Sequence, residues 1–292
     1  MTMTWIGDAV AGATDRLTAW EGLDRPSAAV GSVVRRIFPP GPVRDLASGV
    51  PAGHPVHPML VVAPLGLWSG GLILDLGDRH PEAARALVGM GVAAALPAAL
   101  AGWSDWLDTA EAEQRVGLVH AGLNGAALAG FAASWWLRRP DRRRGPGGKT
   151  PTRARLAAAG GGLAMAAAGW LGGHLAYSMG VGVDTNAFEG GPTEWTDVAE
   201  LEQSGDLRRG RAGEVPVVVI GASRPRPDGA SVMAERCSHR GGPLSEGRLV
   251  DNCVECPWHA SRFDASTGRV RRGPASIPQP VYELRTGGEG LQ

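Results

Sequence analysis

The sequence predicts a multi-domain protein in which an N-terminal all-α bundle of four transmembrane helices precedes a small all-β domain. Three observations support this fold class. Long uncharged runs rich in Ala, Gly, Leu and Val are confined to the first two thirds of the 292 residues. Charged residues are spread through the last third, as in a soluble domain, and all three cysteines lie there, between 237 and 256. The net charge of zero gives no indication of a nucleic-acid partner.

Changes in composition divide the chain into four parts. Residues 1–50 are predicted to form a soluble or interfacial arm, 51–185 a four-span domain in the lipid bilayer, 186–192 a linker, and 193–292 the β domain. A helix that crosses a bilayer needs about 20 mostly apolar residues. Four stretches meet this condition, at about 59–77, 86–104, 116–137 and 156–178.

Charge in the short loops predicts how the bundle is oriented. The segment between the third and fourth spans, from Arg138 to Arg155, is strongly basic, whereas the segment between the second and third spans is acidic. Basic loops prefer the cytoplasm. The sequence therefore predicts a multi-pass protein of the cell membrane whose N-terminus and β domain lie on the outer face. Arg35, Arg36 and Arg44 would then also lie outside, which the same rule does not favour.

Turn residues and β-branched runs predict a hairpin at the start of the β domain. Val215 to Ile220 is a strand candidate, and residues 223–229 form a turn rich in Pro, Asp and Gly. Residues 231–235 can pair back on the first strand. The cysteines follow directly after this hairpin.

Two cysteine–histidine pairs indicate a metal centre. Cys237 and His239 form a C-x-H pair, and Cys256 and His259 form a C-x-x-H pair. Two thiolates and two neutral imidazoles can hold a [2Fe–2S] cluster, and the imidazoles raise its reduction potential above that of an all-cysteine cluster. The same four ligands could bind zinc tetrahedrally, although zinc sites use different spacings. Cys253 is predicted to be a buried thiol and not a ligand.

This pair of motifs resembles the Rieske family over about residues 193–286. The segment Ser261-x-Phe-Asp and the Gly/Pro segment 273–278, similar to the family's proline loop, extend the resemblance. It implies small antiparallel sheets with two cluster-binding loops, in which Cys237 and Cys256 bind one iron and the two histidines bind the other. It also implies that the histidine edges are exposed and that a redox partner protein docks near His239 and His259.

Departures from the family pattern favour a ferredoxin-type domain. Rieske proteins of quinol oxidases add a cysteine to each loop and join the two, whereas the corresponding positions here are Gly242 and Trp258. A tyrosine that donates to a cysteine sulfur in those proteins is replaced by Phe263. Fewer donors to sulfur should lower the potential. Only about thirty residues follow His259, with no histidine among them, so the chain is not expected to be an oxygenase itself.

A layer of polar residues is predicted at one end of the bundle. In an up-and-down bundle, His57, Asp105, His120 and His174 should lie at a similar depth. Ionisable groups at membrane depth are candidates for function, and these could bind haem, a metal ion or a quinone. The alternative is that they are interfacial residues that cap helices or bond across the bundle.

Three motifs of the bundle resemble a family of uncharacterised bacterial four-helix membrane domains over about residues 50–185. They are His-Pro-x-His-Pro before the first span, Trp-Ser-Asp-Trp after the second and Gly-Gly-His in the fourth. The resemblance supports a bacterial membrane protein but implies no activity.

Three functions follow from these observations. The first is a membrane-anchored one-electron carrier, linked to quinol or haem in the bundle. The second is a membrane-tethered ferredoxin that serves a separate oxygenase or reductase. The third is a redox or iron sensor.

Overall fold

The computed structural model contains two compact units. It describes residues 4–77, 80–139, 149–204, 206–221, 230–287 and 290–292. One unit comprises Met1–Ile37 and His57–Val181, and the other comprises Phe38–Val56 and Gly182–Gln292. The structure therefore groups residues 38–56 with the β domain, whereas the sequence boundaries assigned them to the arm and the bundle.

Seven α-helices lie in the N-terminal part of the chain. Their bounds are Thr4–Ala19 (α1), Asp24–Ile37 (α2), Pro42–Ser48 (α3), His57–Gly77 (α4), Pro81–Trp106 (α5), Glu111–Leu137 (α6) and Thr152–Tyr177 (α7). The last four are long and apolar enough to cross a membrane, which confirms the predicted all-α four-helix bundle. They begin a few residues before the predicted spans because polar first turns extend them. In α6, for example, the Glu113 carboxylate accepts the N–H of Ala110 at 2.8 Å.

Helices α1 and α2 belong to the same unit as the bundle, and a single arginine joins them to α6. The Arg115 guanidinium binds both carboxylate oxygens of Asp24, at 2.6 and 2.9 Å. It also donates to the carbonyl oxygen of Thr18 at 2.9 Å. Part of the predicted soluble or interfacial arm is thus anchored to the start of the third span.

Helices α4 and α6 run in the same direction and face each other across the bundle. The rings of Trp68 and Phe131 stack with their centroids 4.4 Å apart. Toward the C-terminal ends, Arg138 donates to both carboxylate oxygens of Asp75, and both side chains are buried. Both pairs join residues 63 positions apart in sequence, so one constant offset relates the two helices.

A second constant offset relates α5 to α7. Gly91 of α5 lies against the Trp68 ring, and Gly161 of α7 lies in the same way against the Phe131 ring. The bundle therefore consists of two helical hairpins, α4–α5 and α6–α7, which share one internal arrangement and are related by an approximate two-fold axis. The buried side chains of Trp68, Val88, Phe131 and Ala158 form its core.

Residues 140–148, which carry several of the bases used to predict orientation, lie outside the described residues. The structure consequently leaves the predicted sidedness as a prediction.

The second unit contains antiparallel β-sheets. A five-stranded sheet has the order β1-β2-β3-β4-β9, a four-stranded sheet has the order β5-β6-β7-β8, and β10 pairs with β11. The strand bounds are Val198–Ser204 (β1), Leu207–Ala212 (β2), Val215–Ile220 (β3), Ser231–Ala234 (β4), Arg248–Val250 (β5), Cys253–Glu255 (β6), Arg262–Asp264 (β7), Val270–Arg272 (β8), Val281–Tyr282 (β9), Thr286–Gly287 (β10) and Gly290–Leu291 (β11).

The predicted hairpin is present, because β3 and β4 pair antiparallel with Val217 opposite Ala234. Its predicted turn, residues 223–229, lies outside the described residues. One face of the five-stranded sheet packs on the four-stranded sheet through Leu207, Met233, Val254 and Phe263, all fully buried. Cys237 and Cys256 belong to this same core.

Candidate metal centre

Two loops of the β unit carry the predicted ligands, and the same two backbone hydrogen bonds close each loop. In the first loop, after β4, the Cys237 N–H donates to Gly242 O at 2.9 Å, and the Gly241 N–H donates to Cys237 O at 2.8 Å. In the second, between β6 and β7, the Cys256 N–H donates to Ser261 O at 2.8 Å, and the Ala260 N–H donates to Cys256 O at 3.0 Å.

Each loop reverses at the fourth residue after its cysteine. Gly241 has φ +73° and Ala260 has φ +60°. Glycine adopts this left-handed conformation at little cost, whereas for alanine it is unfavourable. The second loop therefore holds a strained residue that its hydrogen bonds keep in place.

The two sulfur atoms lie together at the bottom of the site. Both cysteines are buried, and their side chains share a hydrogen bond. This bond, with backbone N–H groups of Trp258 and His259, lowers the pKa of the Cys256 thiol to about 7. The same bond and burial raise the pKa of Cys237, toward which the N–H groups of His239 and Arg240 also point. Such N–H groups favour the thiolate form that binds iron.

The two imidazoles lie beside each other nearer the surface. The centroids of His239 and His259 are 5.1 Å apart, with the ring planes nearly perpendicular. Burial lowers the pKa of His239 to about 3, and the charges of His259, Arg240 and Arg44 act in the same direction. The ring is therefore neutral at physiological pH, which is the form that ligates a metal. Both rings remain partly exposed.

This arrangement suits a two-iron cluster better than a single ion. Two thiols are paired on one side and two imidazoles on the other, so each pair can serve one iron. Among the described residues, no three His, Cys, Asp or Glu side chains converge as ligands of a single metal ion. A zinc ion would need such a convergence. The donor set and its geometry thus fit a [2Fe–2S] cluster.

Gly242 and Trp258 occupy the positions where some Rieske proteins have a disulfide, and here they pack against each other. A Cβ atom on Gly242 would come within 3.0 Å of both the Cys256 sulfur and the Trp258 ring. Trp258 is 56% exposed and lies edge-on to His259. This contact links the two ligand loops.

Gln279 joins the predicted proline loop to the first ligand loop. Its amide oxygen accepts the Ser238 N–H at 2.9 Å, and its amide nitrogen donates to Ala234 O and Arg236 O at 2.8 and 2.6 Å. The Ser238 hydroxyl donates to Ile277 O at 2.8 Å. Gln279 is 2% exposed. Sequence reasoning missed this residue, since a glutamine after a Gly/Pro segment has no distinctive pattern.

Two further segments, remote in sequence, support the loops. The Thr185 hydroxyl donates to Cys237 O at 2.8 Å, and the Asn186 amide donates to Arg236 O at 2.9 Å. The Asp45 carboxylate accepts the Gly273 N–H at 2.8 Å. Residues at the boundary between the predicted four-span domain and the linker, together with part of the predicted arm, therefore help to hold the site, a role that the composition of these segments did not indicate.

Cys253 lies on β6 and is also buried, but its surroundings differ from those of the other two cysteines. Its thiol donates to Asp251 O at 3.6 Å. Burial raises the pKa of Cys253. This environment agrees with the interpretation of Cys253 as a buried thiol.

The four residues of the predicted bundle layer have different environments. Nδ1 of His57 lies 2.9 Å from Ala98 O, and Nδ1 of His120 lies 2.8 Å from Ala168 O. His174 stacks on Trp170 of its own helix, with centroids 5.7 Å apart. Asp105 lies in the last turn of α5. His57 and His120 thus share one arrangement, which is distinct from the environment of His174.

The β unit and its site define an iron–sulfur electron-transfer domain. Residues 193–283 match the family model described as the Rieske [2Fe–2S] domain, and residues 53–185 match that of a predicted membrane protein, DUF2231. The chain belongs to the Rieske family through its C-terminal domain. It is a fusion of this domain to a predicted membrane domain, and it carries a [2Fe–2S] cluster.

Three ferredoxin proteins are similar to this chain over 25–30% of its length. The anthranilate 1,2-dioxygenase ferredoxin subunit of Burkholderia cepacia is 38% identical over 25% of this chain and 65% of its own length. Ferredoxin CarAc of Metapseudomonas resinovorans is 32% identical over 28% and 74%. The biphenyl 2,3-dioxygenase ferredoxin component of Rhodococcus jostii is 31% identical over 30% and 78%. The chain spans about two thirds of the first relative's length.

We predict that Gln279→Ala destabilises the β unit by roughly 3 kcal/mol, because it leaves several buried polar groups without their partner at about 1–3 kcal/mol each. Thermal unfolding of the detergent-purified chain, followed by the visible circular dichroism of the cluster, measures the change. The matched control is Gln292→Ala. The side chain of Gln292 makes exposed hydrogen bonds with Asp197 and Arg285, and the loss of these bonds should lower the free energy of unfolding by less than about 0.5 kcal/mol. Equal effects of the two variants would contradict the assigned role of Gln279.

Proposed function

We propose that the chain is a membrane-anchored one-electron carrier whose cluster is held by Cys237, His239, Cys256 and His259. The observation that carries this proposal is the convergence of the two ligand loops, with paired sulfurs on one side and paired imidazoles on the other. A Rieske [2Fe–2S] centre supplies reversible one-electron chemistry when it is bound.

The protein side chains fix the conditions under which that chemistry takes place. Backbone N–H groups of both loops favour thiolates at Cys237 and Cys256. Burial keeps His239 neutral, and the fully buried core, with Phe263 at its centre, excludes water from the sulfur side. The domain thus presents a dry interior and a partly exposed imidazole edge.

The exposed edge is the proposed docking surface for a redox partner protein. His239 and His259 keep part of their surface accessible, and Trp258 lies beside them with 56% of its surface exposed. Exposed tryptophans contribute strongly to protein interfaces. A partner that covers this edge would approach the ligands on the histidine side without disturbing the buried thiolates.

We predict that Cys256→Ala abolishes iron and acid-labile sulfide binding, whereas Cys253→Ala retains both, because only Cys256 shares the site with Cys237. Iron and sulfide analysis of the purified full chain, with electron paramagnetic resonance of its reduced form, measures the difference. Cys253→Ala is the matched control, since it removes a buried thiol three residues away. The ligand assignment is wrong if Cys253→Ala loses the cluster and Cys256→Ala keeps it.

A second candidate function is that of a tethered ferredoxin for a separate oxygenase. The observation that favours it is the set of relatives, whose names describe ferredoxin components of dioxygenases. If this function is correct, the reduced chain should replace the ferredoxin subunit in an anthranilate 1,2-dioxygenase assay and sustain product formation. Product at the level of an assay without ferredoxin would count against this candidate, while leaving the general carrier function standing.

We further propose that the Rieske domain lies on the outer face of a bacterial cell membrane. The support is the basic segment between α6 and α7 and the acidic segment between α5 and α6. We expect a C-terminal alkaline phosphatase fusion to be active and a C-terminal green fluorescent protein fusion to be dark. The same two reporters fused after residue 147 serve as a control and should give the opposite results. An inactive C-terminal phosphatase fusion together with a fluorescent C-terminal fusion would place the domain on the cytoplasmic face instead.

A further inference from the structure

His57 in the first hairpin and His120 in the second are held in the same way. Nδ1 of His57, on α4, lies within hydrogen-bond distance of Ala98 O on α5, and Nδ1 of His120, on α6, lies likewise against Ala168 O on α7. The neighbouring helix places a glycine four residues further on against each ring. A Cβ on Gly102 would come 2.8 Å from Cε1 of His57, and one on Gly172 would come 3.1 Å from Cε1 of His120.

These contacts fix the tautomer of both rings. A carbonyl oxygen can only accept, so each Nδ1 must carry the proton and each Nε2 of the neutral ring must carry a lone pair. The Asn124 amide nitrogen lies 3.0 Å from Nε2 of His120, as a donor to that lone pair would. A ring N–H that donates to a backbone carbonyl is the usual second contact of a metal-ligating histidine.

The two histidines lie on facing helices at equivalent positions. Their sequence offset equals that of the stacked pair Trp68–Phe131 and of the ion pair Asp75–Arg138, which meet across the axis. Four-helix bundles build cofactor sites from such inward side chains of facing helices.

The layer between the imidazoles and the stacked aromatic rings is made of compact side chains. Seven residues, or two helical turns, after the histidines are Pro64 on α4 and Ala127 on α6, and both are buried. Both side chains are smaller than those of Trp68 and Phe131, which follow four residues later on the same two helices.

The number of available ligands limits what the pair can bind. Among the described residues no group of three or more His, Cys, Asp or Glu side chains is placed to hold a metal ion. A metal ion bound here by two imidazoles needs further ligands that do not come from the protein. An iron porphyrin supplies them, because its ring occupies the equatorial positions and leaves two axial positions for histidine.

We propose that His57 and His120 are the axial ligands of a haem in the transmembrane bundle. The apolar spans supply the low-polarity surroundings for the porphyrin, and the two backbone carbonyls orient the imidazoles. Each Nε2 of this tautomer offers a lone pair to iron and cannot itself donate to a quinone oxygen. The Asn124 amide that lies against Nε2 of His120 has to turn away when iron binds there. The proposal goes beyond the proposed electron carrier, because it rests on bundle residues and not on the Rieske site.

The test uses the full chain expressed with a haem precursor and purified in detergent. We expect haem in equimolar amount with the chain by the pyridine haemochromogen assay, with the optical and paramagnetic spectra of low-spin bis-imidazole iron. His57→Ala and His120→Ala should each reduce the haem content by about tenfold or more. His174→Ala is the matched control, since it removes a histidine from the same end of the bundle, and it should keep the haem.

A rescue experiment separates loss of a ligand from loss of the fold. Added imidazole should restore the low-spin spectrum of His120→Ala, and the Rieske signal of each variant reports on the other domain. The inference is overturned if the chain shows its Rieske signal but takes up no haem when haem is supplied during expression and after purification. Recovery of a quinone that His57→Ala releases would overturn it as well. A chain with haem but without the Rieske signal would instead contradict the proposed function.

Discussion

The Rieske domain depends on the convergence of two turns that share one hydrogen-bond pattern. Each turn is closed by the N–H of its cysteine and by the carbonyl oxygen of the same residue. The cysteine side chains are thereby directed into one buried contact, while the histidines follow at different spacings and reach the surface. The second turn places Ala260 at a positive φ, which is unfavourable for alanine. The second loop therefore keeps the same turn as the first although its backbone conformation at Ala260 is unfavourable.

The surrounding structure stabilises this convergence with polar contacts from distant parts of the chain. Gln279, Thr185 and Asp45 bond to backbone groups of the ligand loops or of the segment that faces them. The carbonyl oxygens of Arg236 and Cys237 and the N–H of Gly273 lie outside the strands, and side chains supply hydrogen bonds to them there. The domain consequently includes residues 38–56, although they precede the first transmembrane helix.

Sequence reasoning predicted the features that depend on residue type and local spacing. The apolar runs predicted the four long helices, and the C-x-H and C-x-x-H motifs predicted which side chains meet. It did not predict the repeat within the bundle, because several of the paired positions hold different residues, such as Trp68 with Phe131 and Asp75 with Arg138. Their relationship lies in a constant offset that composition does not show. It also missed Asp45, whose partner Gly273 is 228 residues away.

The ion pair between Asp75 and Arg138 has a consequence for biogenesis. The carboxylate belongs to the first hairpin and the guanidinium to the second, so neither hairpin is charge-balanced when the ribosome delivers it to the bilayer. An unpartnered buried charge is costly, and the opposing hairpin removes that cost. Lateral docking of the two hairpins therefore pairs both groups at once, and a hairpin that does not dock keeps an unpaired charge inside the bilayer.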